Sequence, residues 1–362
     1  MLKHRKIDIF NPPGAGPQGV DRWQAAATLS AVDLPLALPY APENWPIAAA
    51  MLQFPSTTAG GKSMRVAGPE RWLRDLAIIA AEGFNSVEIP SAWLSIGELD
   101  RHEHEDLKSV LAQVGLSVCA TSVVRRSIIE EGREQENMAI SHAAIDGAAA
   151  VGSPLICLGL HEALQPGQLD ATWFWTMPTH HNPDDREVWN RAVAGYRELA
   201  DHAASVGVQI SLELYEGTFL CSADSAVAFL QDIDRDNVGL NPDLGNLVRA
   251  QMPIEPWESM AIKTFPYANY WHVKNYSRVE FPENNLYLTT PTPMESGFID
   301  YRKAISFAVA HGFQGAFLCE NYGGDGLSVS AENGRYIQRV LKSISLDVAR
   351  PDGAPRIAAR TK

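Results

Sequence analysis

The stretch from residue 208 to residue 246 has the pattern of a strand, a helix and a second strand. Residues 208–214 form a short apolar run rich in branched side chains, which is typical of a strand buried on both faces. Residues 222–233 follow with helical spacing, and Ser222 is suited to be the N-cap. Residues 238–240 form the next strand, so the stretch predicts one repeat of a parallel strand–helix barrel.

An acidic residue stands at the end of each of these two strands. Glu213 ends the first strand, and Asp243 follows the second. In a barrel of parallel strands the C-terminal strand ends form one rim, and the chemistry takes place there. Either acid alone is equally typical of a cap or a turn. The pair predicts a functional site because the same pattern continues on later strands.

The rest of the chain repeats the alternation of strands and helices. Predicted strands cover residues 47–54, 86–89, 116–123, 154–159, 208–214, 238–240, 270–274 and 314–319. Predicted helices cover residues 69–82, 99–114, 129–150, 187–206, 222–233, 257–265, 299–311 and 331–344. This alternation is that of a closed (β/α)8 TIM barrel, an α/β fold. We expect a single barrel domain over residues 45–345, between an irregular N-terminal arm (1–44) rich in Pro, Gly and Ala and a loose C-terminal tail (346–362).

Composition fits a large globular domain and excludes several classes of partner. The chain has 362 residues, of which 46% are hydrophobic, and can bury a large core. Its net charge of −13 argues against binding to nucleic acid or to an anionic membrane, since both require a basic surface. Four cysteines without a CxxC pair predict free thiols and a cytoplasmic location. We expect no signal peptide and no membrane-spanning segment.

Metal-ligand side chains stand at the ends of four successive predicted strands. They are Glu213, Asp243, His272 and Glu320. A single histidine in a strand is more typical of a core residue, but three carboxylates and one imidazole on one rim suit a divalent ion. The four residues therefore predict a site for Mn²⁺, Mg²⁺, Co²⁺ or Zn²⁺, with open positions for substrate oxygens.

Several motifs resemble the xylose-isomerase-like barrel superfamily, often called sugar phosphate isomerases/epimerases. They are LELYEG, VGLNPDLGN, the HVK of the seventh strand, GFIDYRKAI and GAFLCEN, and the resemblance covers residues 46–344. It implies that Glu213, Asp243, His272 and Glu320 bind one divalent metal, most often manganese. Many members carry a histidine three residues after the aspartate, where this chain has Asn246. This departure weakens the transfer of the ketose 3-epimerase subtype and leaves Asn246 as a candidate for binding substrate.

The expected chemistry is removal of a proton next to a carbonyl. A metal that binds a hydroxyl and the adjacent carbonyl acidifies the carbon acid and stabilises the enediolate. In the epimerase branch the resemblance implies that the ligand glutamates Glu213 and Glu320 move the proton. His161, just past the fourth strand, is the alternative base, because an imidazole with a pKa near 6.5 can accept a proton at pH 7. A lone histidine at this place is otherwise structural.

Further candidates for substrate binding lie beyond the strand ends. Lys274 points the same way as His272 because it follows two residues later, although a surface lysine is equally typical, and Arg278 lies beyond it. Trp175 belongs to an aromatic insertion over residues 164–187, and aromatic rings stack on the apolar faces of sugars. Such an insertion is typical of a lid or of a packing or subunit-contact loop. A second insertion, residues 277–297, is expected to close the other side of the site.

Three enzymatic functions and one non-enzymatic function remain. The first is a sugar or keto-sugar isomerase/epimerase. The second is a lyase resembling the α subunits of C-glycoside deglycosidases, in which deprotonation beside the C3 ketone of a 3-oxo-glucoside expels the aglycone. The third, an endonuclease IV-type phosphodiesterase, needs more rim histidines and a basic face. Without a metal, the protein would be a binding module. Expected partners are a carbohydrate substrate, further copies of the chain and, for the lyase, a small β-rich subunit.

Overall fold

The computed structural model describes residues 27–29 and 38–348. The strands in that part of the chain are β1 (Ile47–Ala49), β2 (Ser86–Pro90), β3 (Ser117–Ser122), β4 (Leu155–Leu158), β5 (Gln209–Glu213), β6 (Val238–Asn241), β7 (Trp271–Val273), β8 (Asn275–Phe281), β9 (Leu286–Thr292) and β10 (Phe317–Cys319). The helices are α1 (Met64–Ala67), α2 (Pro69–Ala81), α3 (Arg101–Val114), α4 (Glu134–Val151), α5 (Pro166–Asp170), α6 (Arg186–Ser205), α7 (Ala223–Ile233), α8 (Leu244–Val248), α9 (Trp257–Thr264), α10 (Tyr301–Ala310) and α11 (Gly326–Val348).

Eight of these strands form a parallel barrel. The strand order is β6-β5-β4-β3-β2-β1-β10-β7, and each neighbouring pair is parallel. The two ends of this sheet meet between β6 and β7, where Leu240 forms a parallel bridge with Ala268. The predicted (β/α)8 TIM barrel is confirmed, with a seam at β6 and β7 that is closed by a bridge rather than by a full ladder.

Gly239 on β6 leaves room for the side chain of Asn269 to cross this seam. The side-chain amide of Asn269 donates to the carbonyl of Ile210 at 3.0 Å, and its backbone N–H donates to the carbonyl of Leu240 at 3.2 Å. A Cβ atom at Gly239 would lie 2.4 Å from Cγ of Asn269. Any larger residue at position 239 would therefore push Asn269 out of the seam.

The core has an inner and an outer part. Inside the barrel, small residues such as Ala48 and Ala120 pack with Leu155, Tyr270 and Leu318. A larger apolar cluster lies between the strands and the surrounding helices. Because successive strand residues alternate between the two sides, inward-facing polar side chains at the C-terminal strand ends gather at one mouth of the barrel.

Local capping agrees with the sequence patterns. Ser222 is the N-cap of α7, and its hydroxyl accepts the backbone N–H of Ser225 at 3.2 Å. Pro69 opens α2, as predicted, because the first turn of a helix does not need its missing N–H.

Three predicted elements have other bounds in the structure. The first strand, expected over residues 47–54, ends at Ala49 because the following residues turn, with the N–H of Phe54 donating to the carbonyl of Met51. The helix expected over residues 129–150 begins only at Glu134, after a bend. The last helix runs from Gly326 to Val348, beyond the predicted limits of 331 and 344 at both ends.

The two terminal segments are described only in part. Of the predicted arm (1–44), residues 27–29 are helical and residues 38–44 contain a short 3-10 turn at Pro42–Asn44. Of the predicted tail (346–362), residues 346–348 belong to α11. The rest of both predictions lies outside the described residues.

The second predicted insertion is a β-hairpin. Strands β8 and β9 pair in antiparallel register, with Phe281 opposite Leu286 at the tip. The hairpin follows β7 almost directly and rises from the C-terminal mouth of the barrel.

The described cysteines are free, as predicted; they are Cys119, Cys157, Cys221 and Cys319. None of the helices over residues 38–348 has the length and apolar character needed to cross a membrane.

Candidate metal centre and active site

Four strand ends bring their side chains to one buried point. Glu213 ends β5, Asp243 is the N-cap of α8 just after β6, His272 lies on β7, and Glu320 follows β10. Nδ1 of His272 lies 3.6 Å from Oε1 of Glu213, 3.9 Å from Oδ2 of Asp243 and 3.3 Å from Oε1 of Glu320. The structure thus brings together all four residues that the strand-end pattern singles out.

The donor atoms fit a divalent cation. Ligand atoms of Glu213, Asp243 and His272 lie within 4.8 Å of one another. Metal–ligand bonds of about 2.0–2.6 Å would bring such atoms to one ion with small side-chain movements. Nδ1 of His272 is buried without a hydrogen-bond partner among the described residues, and it faces the carboxylates. A buried nitrogen of this kind is costly unless a proton partner or a metal ion uses it.

Glu88 on β2 holds His272 from behind. Its Oε2 lies 3.1 Å from Nε2 of His272 and also accepts the hydroxyl of Tyr270 at 2.8 Å. Its Oε1 accepts the hydroxyl of Ser122 at 2.8 Å. Burial alone would lower the pKa of His272, but the charge of Glu88 together with the contacts to Cys157 and Glu213 raises it well above the usual value. A carboxylate on the far nitrogen is the usual way in which a metal-binding histidine is oriented.

Sequence reasoning missed Glu88. The available signal was an acidic residue in the centre of the buried strand SVEIP. The direction of the Glu88 side chain depends on the barrel, because a register shift between Val87 and Glu88 in the β2–β3 pairing changes the course of the strand locally.

Lys274 lies inside the cluster rather than on the surface. Its ammonium donates to Oδ2 of Asp243 and to Oε2 of Glu320. Burial would lower the pKa of Lys274, but these carboxylates raise it well above the usual value. Burial raises the pKa of Asp243 to about 6. Burial also raises the pKa of Glu320, but Lys274 and His272 together outweigh it and lower that pKa to about 2. One ammonium therefore does not fully compensate two buried carboxylates.

A glycine makes room for this lysine. A Cβ atom at Gly245 would lie 2.6 Å from Cγ of Lys274. The PDLGN segment after β6 thus supplies both the ligand Asp243 and the space for Lys274.

Asn246 supports Glu213. Its side-chain amide donates to Oε1 of Glu213 at 2.9 Å and to the carbonyl of Leu214 at 3.0 Å. Its Oδ1 is buried and has no partner among the described residues. Asn246 therefore offers one free acceptor near the cluster, and its predicted contact with substrate stays a prediction.

His161 lies beside Glu213 but is a weaker base than predicted. Its ring stacks on Tyr215 with centroids 4.4 Å apart, and its Nδ1 has no partner among the described residues. Burial lowers the pKa of His161 to about 4, more than the charge of Glu213 raises it. The expectation of a pKa near 6.5 is wrong, because the imidazole is removed from water. At pH 7 His161 is neutral and serves better as a hydrogen-bond partner than as a strong base.

Comparison with known proteins identifies the family to which this barrel belongs. The family described as the xylose isomerase-like TIM barrel matches residues 76–343. The chain belongs to the xylose isomerase-like TIM barrel family. A xylose isomerase-like TIM barrel protein from Mycobacterium smegmatis, solved in complex with magnesium, is 39% identical with a TM-score of 0.80, over 84% of this chain and 99% of that chain. No curated protein sequence matches the chain.

More distant solved structures share the fold of this xylose isomerase-like barrel. An L-ribulose 3-epimerase is 17% identical with a TM-score of 0.58, over 85% of this chain and 99% of that chain. A 3-keto-D-glucoside 4-epimerase from E. coli is 16% identical with a TM-score of 0.58, over 82% of this chain and 100% of that chain.

The insertion after β4 and the β8–β9 hairpin meet over the mouth of this xylose isomerase-like barrel, and we call this aromatic cover the lid. Trp175, in the insertion after β4, is buried against Tyr276 and Tyr322, with ring centroids 5.4 and 5.3 Å away. Its indole N–H donates to the hydroxyl of Thr289 on the hairpin at 3.2 Å. The two predicted insertions therefore meet each other over the mouth of the barrel.

Arg249 lies beneath this lid and contacts several of its aromatic rings. Sequence reasoning missed this residue. Its guanidinium is fully buried and pairs with Glu216, with Nε donating to Oε1 and Nη2 donating to Oε2, both at 2.9 Å. It also lies 4.8 Å from the ring centroid of Phe174 and 5.3 Å from that of Trp175. Cation–π contacts and the ion pair together fix the closed lid.

The guanidinium of Arg278 binds groups of the same chain. It donates to the carbonyls of Val248, Ala250 and Met252 at 2.7, 2.6 and 2.5 Å, and to Glu280. These contacts tie the base of the hairpin to the segment after α8. The structure does not bring Arg278 into the ligand cluster, and its predicted contact with substrate stays a prediction.

Proposed function

We propose that this protein is a divalent-metal-dependent carbohydrate isomerase or epimerase that moves a proton next to a carbonyl. The observation that carries the proposal is the meeting of Glu213, Asp243, His272 and Glu320 at one buried point. Membership in the xylose isomerase-like family supports it, as do the epimerases among the structures that share the fold.

The donor set favours Mn²⁺, with Mg²⁺, Co²⁺ or Zn²⁺ as alternatives. Carboxylates suit Mg²⁺ and Mn²⁺, and the single imidazole adds preference for a transition ion. The magnesium complex of the relative at 39% identity supports a divalent ion. When bound, the ion would supply Lewis-acid stabilisation of the oxygen beside the acidic carbon.

In this proposal the two ligand glutamates would transfer the proton from two sides. Glu213 ends β5 and Glu320 follows β10, and in the barrel β6 and β7 separate these strands. A proton taken by one carboxylate and returned by the other would invert a carbon centre, whereas one carboxylate alone would shift the proton between neighbouring carbons. Neutral His161 would orient a substrate oxygen, and its role as the base is the less favoured form of this proposal.

A sugar or keto-sugar is the substrate class that the lid favours. Trp175 and its aromatic neighbours offer apolar faces, while Lys274 and Asn246 offer a charged donor and a free acceptor close to the cluster. Because the lid is closed in this structure, we propose that the insertion after β4 opens to admit substrate.

We also propose a cytoplasmic homo-oligomer. Val279, Phe281, Leu286 and Leu288 are 42–49% exposed and lie in cross-strand pairs on one face of the hairpin. An apolar face of this kind commonly marks a contact between proteins. Light scattering coupled to gel filtration should give a mass above that of one chain, and Leu288→Glu should reduce it.

The enzymatic proposal is tested by isotope exchange in heavy water. Keto-sugars and 3-oxo-glycosides are incubated with the protein and Mn²⁺ in D₂O, and the products are analysed by chromatography and mass spectrometry. We expect deuterium in the recovered sugar and a product of unchanged skeleton at a new retention time, both absent in Asp243→Asn. Release of an aglycone would instead identify the lyase. Exchange that persists at the same rate in Asp243→Asn would refute the proposed centre.

A further inference from the structure

A second cluster of metal-ligand side chains joins two helices on the outside of the barrel. On α4, His142 precedes Asp146 by four residues, and on α6, Glu198 precedes His202 by four residues. Residues four apart lie on the same helix face, one turn above each other. The four side chains face one another across the groove between α4 and α6.

These side chains form one line of contacts. Nδ1 of His142 lies 2.8 Å from Nδ1 of His202. Nε2 of His142 lies 3.0 Å from Oε1 of Glu198, and Nε2 of His202 lies 2.9 Å from Oδ1 of Asp146. The two Nδ1 atoms thus meet in the middle, and a carboxylate stands behind each ring.

The positions of the carboxylates determine whether the two inner nitrogens, the Nδ1 atoms, carry a proton or a lone pair. A carboxylate only accepts, so each Nε2 must carry the N–H. In a neutral imidazole the other nitrogen is then a lone pair, and two such lone pairs would face each other across the groove. Either an extra proton or a cation must lie between them.

We propose that His142 and His202 bind a borderline divalent cation, such as Zn²⁺, Cu²⁺ or Ni²⁺, through their Nδ1 atoms. Glu198 and Asp146 would hold the two rings through Nε2, the arrangement in which a carboxylate orients a metal-binding histidine. The site stands on geometry that is independent of the proposed reaction.

The geometry requires only a small movement. Bonds of about 2.0–2.1 Å from zinc to histidine place two imidazole nitrogens about 3.3 Å apart in a tetrahedral site, so the 2.8 Å gap must widen by about half an ångström. The side chains of His142 and His202 are 28% and 25% exposed, which leaves them room to rotate and leaves the ion accessible to water. Water molecules would complete the coordination.

The ligand chemistry separates this site from the barrel centre. Two imidazoles favour late transition ions, whereas the carboxylate-rich centre favours Mg²⁺ and Mn²⁺. A bound ion would also bridge α4 and α6, and it would stabilise the fold by an amount that grows with the logarithm of its concentration over its dissociation constant.

The test is calorimetric titration of the full-length protein with Zn²⁺. We expect His142→Gln and His202→Gln each to bind one equivalent of Zn²⁺ less than the parent protein. Asp146→Asn should still bind this equivalent, with an affinity about tenfold weaker. The matched control is His102→Gln, which removes an exposed histidine that pairs with Asp106 on α3, and it should bind as the parent does. Full zinc stoichiometry in both histidine variants would overturn the proposal.

Electron paramagnetic resonance with Cu²⁺ gives a readout that does not depend on stoichiometry. The difference spectrum between the parent and His142→Gln should show splitting by two nitrogen donors, and the difference against His102→Gln should not. A difference spectrum with only oxygen donors would exclude the histidine pair as ligands. Because neither measurement uses the reaction, a failed search for substrate would leave this test intact.

Discussion

At the scale of single residues, the centre is a balance of buried charges. Three carboxylates approach Nδ1 of His272 within 3.9 Å, and Lys274 bridges two of them. Each buried charge would be costly alone, so the cluster depends on its cations. Lys274 is one of these cations in the structure, and a divalent metal would be the other.

Replacing Lys274 with Met should destabilise the metal-free protein most. Asp243 and Glu320 would then lie side by side without their ammonium, at a cost of about 3–5 kcal/mol in free energy of unfolding. Bound Mn²⁺ would neutralise both carboxylates, so the loss should be smaller when the ion is present. Urea unfolding with EDTA and with Mn²⁺ measures the difference.

The matched control is Lys263→Met, whose ammonium pairs with Asp224 and Glu255 nearer the surface. It should cost about 0–1 kcal/mol with or without the ion. Equal losses for Lys274→Met in EDTA and in Mn²⁺ would show that the lysine and the metal do not share the same carboxylates.

The buried imidazole of His161 should make the fold sensitive to acid. The unfolded chain binds a proton at His161 near pH 6.5, but burial lowers the pKa in the folded chain to about 4. Its contribution to stability is therefore fully present above pH 6.5 and is lost as the pH falls towards 4, by up to about 3 kcal/mol. Urea unfolding of His161→Gln at pH 7 and pH 4.5 should show a smaller loss of stability than the parent protein. An identical loss in both proteins would place His161 in water rather than in the core.

At the scale of elements, two insertions make the lid. The segment after β4 supplies Trp175, the hairpin supplies Thr289, and Arg249 lies beneath them. From length and position, the sequence predicted the first insertion as a lid or as a packing or subunit-contact loop, and the second as closing the other side of the site. It could not predict their mutual contact, because residues 175 and 289 are separated by most of the second half of the barrel.

Replacing Trp175 with Ala should loosen this lid without removing the ligands. It removes the indole stacked near Arg249 and the hydrogen bond to Thr289. We expect faster proteolysis within residues 164–185, with unchanged affinity for Mn²⁺. Thr289→Val keeps the indole in place but removes the hydroxyl, which also donates to the carbonyl of Arg249 and accepts the side-chain amide of Gln251, and it should show a smaller effect. Unchanged proteolysis in Trp175→Ala would mean that the ring does not hold the insertion.

At the scale of the whole molecule, the repeat of strands and helices made the barrel and its ligand rim predictable. Glu213, Asp243, His272 and Glu320 each stand at a strand end, so the parallel topology alone places them together. Glu88 and Arg249 were not predictable, because their roles depend on which way a side chain turns inside the closed barrel. The pKa of His161 could not be predicted from the sequence either, because it depends on burial by distant segments.

The central claim is that these four strand-end residues hold one divalent ion. Anomalous diffraction from crystals grown with Mn²⁺ tests it most directly. We predict a strong anomalous peak about 2.0–2.6 Å from donor atoms of Glu213, Asp243, His272 and Glu320, with Nδ1 of His272 as the nitrogen ligand. A map with no anomalous peak among these side chains, and with the ammonium of Lys274 filling the space between the carboxylates, would contradict it.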